Sequence, residues 1–144
     1  MKYILSIISI LIVLSLQAQT KTDDIVGVWL TGGNKPAKIQ VYKSGDKYFG
    51  KIIWLKYPEE NGRPKVDSKN PDKNKQSQPI IGIVILKNFK FEEDEWNDGK
   101  IYDPESGKTY SCIISLKEKN VLKVRGYVGV SLLGRTEFWN KTSL

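Results

Sequence analysis

From residue 26 to its end, the chain is a series of short apolar runs separated by turn residues. Their period is about two residues, the spacing of strands, and not the spacing of helices. The segment "VGVWLT" (26–31) begins the series. "AKIQVY" (37–42) alternates, with Ala37, Ile39 and Val41 on one face and Lys38, Gln40 and Tyr42 on the other. "KSGDK" follows as a turn with Gly45 and Asp46 at its tip. The next strand, "YFGKIIWL" (48–55), carries Tyr48, Gly50, Ile52 and Trp54 on one face; its other face is nearly as apolar.

Residues 56–78, rich in proline, asparagine and lysine, show no period and read as a loop. A loop of this length inside a small domain often lies over a binding site. "PIIGIVIL" (79–86) then reads as a buried strand, followed by "FKFEEDEW", "GKIYD", "TYSCIISL", "VLKVRGY" and "TEFWN". A short helix near "VSLLG" (130–134) is the one helical element the pattern allows. The expected fold class is therefore all-β: an antiparallel meander of about eight to nine strands. Such a sheet hides its edges by closing into a barrel or by pairing as a sandwich. Gly50, Gly82 and Gly126, read as strand glycines, suit sites of bending and favour the barrel.

The first residues change the picture of location. "MKYILSIISILIVLSLQAQT" has a short positive end at Lys2, an apolar run from Tyr3 to Leu16 and a small residue at Ala18. That is the form of a cleaved secretory signal peptide, and the run is short for a membrane span. The expected organisation is a signal peptide at 1–18 and a single β-barrel domain at 19–144, exported to the periplasm or beyond the cell. Export invites disulfides, yet the chain has one cysteine, Cys112, so packing must supply the stability.

Composition removes whole classes of chemistry. The chain has no histidine, which excludes Ser-His-Asp and Cys-His catalysis and imidazole-based zinc sites. Its formal charge is +7, or +6 once Lys2 leaves with the signal peptide, and the basic residues are scattered. This balance favours anionic surfaces such as lipid headgroups or acidic glycans. Export, and the lack of any RNA-recognition strand or groove-fitting helix, argue against nucleic acid. Nothing in the residues calls for a cofactor.

At this point several blocks carry a family likeness. "GVW" (27–29), "GKIIWL", "DSKNPD", "PIIGIVIL", "GKIYDPESGKTY", "LKVRGYVG" and "LGRTEFW" occur in an order that resembles the bacterial domain of unknown function 2147 family. The likeness covers residues 25–140; "QSQP", less basic than the pattern, and the acidic "EEDEW" depart from it. The resemblance implies an exported, small, β-rich protein and brings no activity with it. A second likeness is architectural. In lipocalin-like barrels a Gly-x-Trp on the first strand meets an arginine from the last strand and closes one end. Gly27, Trp29 and Arg135 match those places, with Arg125 as the competing cation, and a guanidinium over an indole contributes about 0.5 to 2 kcal/mol. Contact between Trp29 and Arg135 is the expectation.

Candidate chemistry is sparse. Glu92 to Glu95 with Asp98, and Asp67 with Asn70 and Asp72, could offer oxygen ligands to calcium. They lack a regular ligand spacing, so solvated acids and Asx-Pro turns explain them, and no metal site is expected. "IYDPESGKTY" reads as a hairpin tip: Asp103 and Pro104 suit the first turn positions and Gly107 a positive φ. As an enzyme the protein would have to use Asp103 with Glu105, so no catalytic residues are assigned. Aromatic residues are numerous enough to fill a core and to border a pocket. The expected ligand-binding set is Trp54, Tyr102, Asp103, Tyr110, Arg125 and Tyr127, for a small hydrophobic or anionic amphipathic ligand. The alternative is a solid barrel making a surface contact in the cell envelope through residues 56–78 or "RGYVGVSLLGR". An eight-stranded barrel is the size at which the interior is either just filled or holds one ligand.

Overall fold

The computed structural model describes residues 20–130 and 132–144; the expected signal peptide, 1–18, lies outside the described residues. The described residues form ten strands: β1 (Gly27–Leu30), β2 (Ala37–Ser44), β3 (Lys47–Leu55), β4 (Glu59–Glu60), β5 (Arg63–Pro64), β6 (Val84–Glu92), β7 (Glu95–Asp103), β8 (Lys108–Glu118), β9 (Val121–Tyr127) and β10 (Gly134–Thr142). Eight of them close a barrel in the order β1-β10-β9-β8-β7-β6-β3-β2, every pair antiparallel. β4 and β5 form a separate two-stranded ribbon within the long connection between β3 and β6.

The alternation read from the sequence is what closes the barrel. Ala37, Ile39 and Val41 of β2, Tyr48 and Ile52 of β3, Cys112 and Ile114 of β8, and Leu122 and Val124 of β9 are buried. Lys87, Lys90, Lys100 and Lys123 are exposed on the outer surface, which is therefore not the apolar band of a membrane-spanning barrel. Closing so small a ring brings backbone and side chains into close approach. Gly99 faces the Phe89 ring, and a Cβ there would overlap it.

Three local expectations are corrected. "PIIGIVIL" is not one strand: β6 starts at Val84, and residues 79–83 finish the long connection, with Gly82 at φ 104°. Glu93 and Asp94, both at positive φ, form a two-residue hairpin turn, and β7 then runs unbroken through "GKIYD". In "VSLLG", Val130, Leu132 and Leu133 lie in bends and a turn, not a helix, and Gly134 opens β10.

The two ends of the barrel differ. At the base lie the N-terminal turn, the β2–β3, β6–β7 and β8–β9 hairpin tips, and Trp29 and Trp96, each fully buried. Ile25 plugs this end, and its carbonyl accepts the Trp29 Nε1 hydrogen bond at 2.8 Å. Trp96 Nε1 donates to the Thr22 carbonyl at 3.1 Å, and the Tyr48 hydroxyl donates to Asp23. At the mouth lie the β1–β2 loop, the long β3–β6 connection, the β7–β8 turn and the β9–β10 loop.

Candidate functional site

The mouth opens into a cavity of about 710 Å³. The barrel is thus packed solid around Trp29 and Trp96 and hollow above them. Ile39, Ile52, Leu55, Ile85, Val124 and Trp139 supply apolar wall. Tyr102, Tyr110 and Tyr127 bring hydroxyl-bearing rings to the upper wall. A Cβ added at Gly126 would meet Ile101 and Tyr110 at ordinary contact distances, so a side chain can be placed there without displacing backbone.

A buried carboxylate ties the long connection to the rim. Asp67 is 0% exposed and accepts from the Tyr102 hydroxyl at 2.7 Å, from Asn70 Nδ2 at 2.7 Å and from Gln78 Nε2 at 3.4 Å. Its backbone N–H donates to the Gln78 carbonyl, and its own carbonyl accepts from Asn70. Three neutral donors satisfy this carboxylate, as burial requires of a charge without a cation. Burial, and then the bond to Asp67, push the Tyr102 hydroxyl up to about 12 from its ordinary 10.0. Asp67 with Asn70 therefore closes a loop onto a strand; among the described residues no cluster of acids, cysteines or histidines is arranged to hold a metal ion.

The β7–β8 turn docks on the same connection. Asp103 Oδ1 accepts from the Glu105 N–H and its Oδ2 from the Ser106 hydroxyl, while the Gly107 N–H donates to the Asp103 carbonyl. Gly107 sits at φ 71°, and a Cβ there would run into the Lys69 carbonyl. Lys69 Nζ in turn donates to the Glu105 carbonyl at 2.7 Å, and Lys35 pairs with Glu105 at 3.4 Å. Both oxygens of Asp103 are thus engaged within its own turn.

The wall carries Tyr102, Asp103, Tyr110 and Tyr127 of the expected set. Trp54 and Arg125 are on the outside. In β3 the pairing steps from Ile39–Ile52 to Lys38–Trp54, so Ile53 is an extra residue and the alternation reverses. Leu55 consequently turns into the cavity, and Trp54 turns out beneath Lys38, whose Nζ lies 5.7 Å from its ring centre. Arg125 alternates outward between Val124 and Gly126 and donates to Thr136 Oγ1 at 2.8 Å.

The closure at the base uses a different cation from the one expected. Trp29 pairs across strands with Lys141, whose Nζ stands 5.4 Å from its ring centre. Gly27, at φ 144°, leaves room for the Lys141 side chain to pass. Arg135 pairs with Gly126 at the mouth and makes an exposed ion pair with Glu137 at 3.4 Å. It does not touch Trp29, because it stands six positions before Lys141 along β10.

A closed eight-stranded antiparallel barrel with one plugged end and one open, cavity-bearing end is a lipocalin-like architecture. A solved structure, protein HP1028 from Helicobacter pylori, described as belonging to the lipocalin family, superposes with a TM-score of 0.74 at 19% identity over 83% of each chain. That likeness is one of fold. The sequence model of the bacterial family described as "Uncharacterized protein conserved in bacteria (DUF2147)" matches residues 27–141, and the chain belongs to this family. No curated protein matches the sequence.

Proposed function

We propose that the protein is an exported binder of a small apolar or amphipathic ligand, held in the barrel with its polar end at the mouth. The observation that carries this reading is the cavity: about 710 Å³, within the usual range for small-molecule sites, with aliphatic walls and with Tyr102, Tyr110 and Tyr127 of three neighbouring strands in its lining. An anionic head suits the rim, since Lys56 and Lys65 line it and form no ion pair among the described residues. The signal-like segment at residues 1–18 supports export.

Residues 20–144, which contain the closed barrel and its core, should bind the fluorescent fatty acid cis-parinaric acid saturably. The Gly126→Phe variant, which fills the upper cavity, should lose that binding while keeping the β-sheet circular dichroism of the parent. Native mass spectrometry of gently purified protein should show an adduct of a lipid or similar small molecule. Absence of both saturable binding and any adduct would overturn the reading.

A further inference from the structure

The described residues of the loop between β9 and β10 are apolar and open to solvent. Val128, Val130, Leu132 and Leu133 are 67%, 58%, 88% and 73% exposed, and residues 128–133 include no charged side chain. Exposed aliphatic groups gathered in this way mark a surface that meets a partner. Val128 and Leu133 also line the cavity, so this lip and the cavity wall form one continuous apolar surface.

Charge is distributed unevenly about that lip. The long connection that starts and ends at the mouth carries Lys56, Arg63, Lys65, Lys69, Lys73 and Lys75 against the exposed Glu59, Glu60 and Asp72, Asp67 being buried. At the other end of the barrel, the β6–β7 tip exposes four consecutive acids, Glu92 to Glu95. The apolar lip thus belongs to the basic end of the molecule. Two copies joined lip to lip would bring two basic rims together, which disfavours a second copy as the partner. An anionic lipid surface suits both features at once: it takes aliphatic side chains into its interface and attracts lysines to its headgroups.

We propose that the barrel docks mouth-first on anionic bilayers, with Val130 and Leu132 entering the interface and the lysines of the long connection meeting the headgroups. Docking in this pose opens the cavity toward the bilayer, so an amphipathic molecule moves between membrane and barrel without crossing bulk water. The proposal goes beyond ligand binding and is tested apart from it.

The test is flotation of residues 20–144 with vesicles of phosphatidylglycerol and phosphatidylcholine, and with vesicles of phosphatidylcholine alone. Binding to the anionic vesicles is expected, weakening as salt is raised. The double variant Val130→Ser/Leu132→Ser, whose side chains lie outside the cavity wall, should bind about tenfold more weakly or worse. Its circular dichroism and parinaric acid binding should match the parent. The proposal is overturned if the parent ignores anionic vesicles, or if the double variant floats as well as the parent. It is equally overturned if light scattering shows a lip-dependent dimer, or cross-linking a lip-dependent protein partner, in place of vesicle binding. Failure of parinaric acid binding with vesicle binding intact would sink only the ligand reading.

Discussion

At the base of the barrel, polar groups serve the packing; at the mouth, packing gives way to polar groups. Trp29 and Trp96 are completely buried, and each indole N–H reaches a backbone carbonyl of the N-terminal segment. That end is a sealed core with its few donors satisfied. At the mouth, a carboxylate, Asp67, takes the central place, and what it holds is a long connection and not a core. Both ends use a tyrosine hydroxyl on an aspartate, Tyr48 with Asp23 and Tyr102 with Asp67. Asp23 is exposed and Asp67 is not. A barrel built this way can keep its fold at one end and vary its access at the other.

The largest expected effect lies at the base. Trp29→Ala removes one of the two buried tryptophans of the base and should cost about 3 to 5 kcal/mol in urea unfolding. Leu133→Ala at the mouth removes an exposed side chain and should change stability by no more than about 0.5 kcal/mol. Equal losses at the two positions would mean that the stability of the barrel is spread evenly and that the contrast drawn between its ends is wrong.

Next in size is the tie at the mouth. Asp67→Ala leaves Tyr102, Asn70 and Gln78 without their acceptor and should cost about 1 to 3 kcal/mol. Much of the change should be local: trypsin should cut faster at Lys69, Lys73 and Lys75, while the barrel keeps its circular dichroism. Gly107→Ala, which drives a methyl group toward the Lys69 carbonyl at a positive φ, should open the same connection. Unaltered cleavage in both variants would show that the connection is held by something other than Asp67 and the β7–β8 turn.

The sequence carried these two regions unequally. The meander, the closed fold and the β7–β8 turn were readable because their signals are local: alternation of apolar residues, and Asp-Pro with Gly at the spacing a turn needs. The side of the barrel wall on which a residue falls was readable only up to the first irregularity. Trp54 shares its parity with Ile52, and nothing in "KIIWL" announces that Ile53 is a bulge that reverses the pattern. The cation over Trp29 was misassigned for a related reason: the register of β10 against β1, which brings Lys141 and not Arg135 to the indole, is a long-range property. In the sequence Asp67 stands three residues before the Asn70-Pro71 turn and looks like any solvated loop acid. Its burial depends on Tyr102, thirty-five residues away, and no local pattern encodes that.

The smallest expected effect is also the one that separates the two hydroxyl–carboxylate pairs. Burial and its bond to Asp67 raise Tyr102 from 10.0 to about 12, so the folded protein favours its neutral form. A raised value contributes stability that is complete below pH 10 and is lost as pH climbs toward 12. The stability gap between the parent and Tyr102→Phe should therefore hold steady below pH 10 and shrink above it. A phenolate facing the buried Asp67 carboxylate would repel it, so cleavage of the long connection in the parent by subtilisin, a protease that works in alkali and does not need a charged lysine, should rise over the same interval. Tyr48 is also raised, first by burial and then by its bond to Asp23, but its titration should leave that connection untouched. Phenolate absorbance, followed in the parent and in each Tyr→Phe variant, assigns the two late-titrating groups. If Tyr102 ionises with the exposed tyrosines, or if cleavage follows Tyr48 instead, the mouth is not held in the way the Asp67 geometry requires.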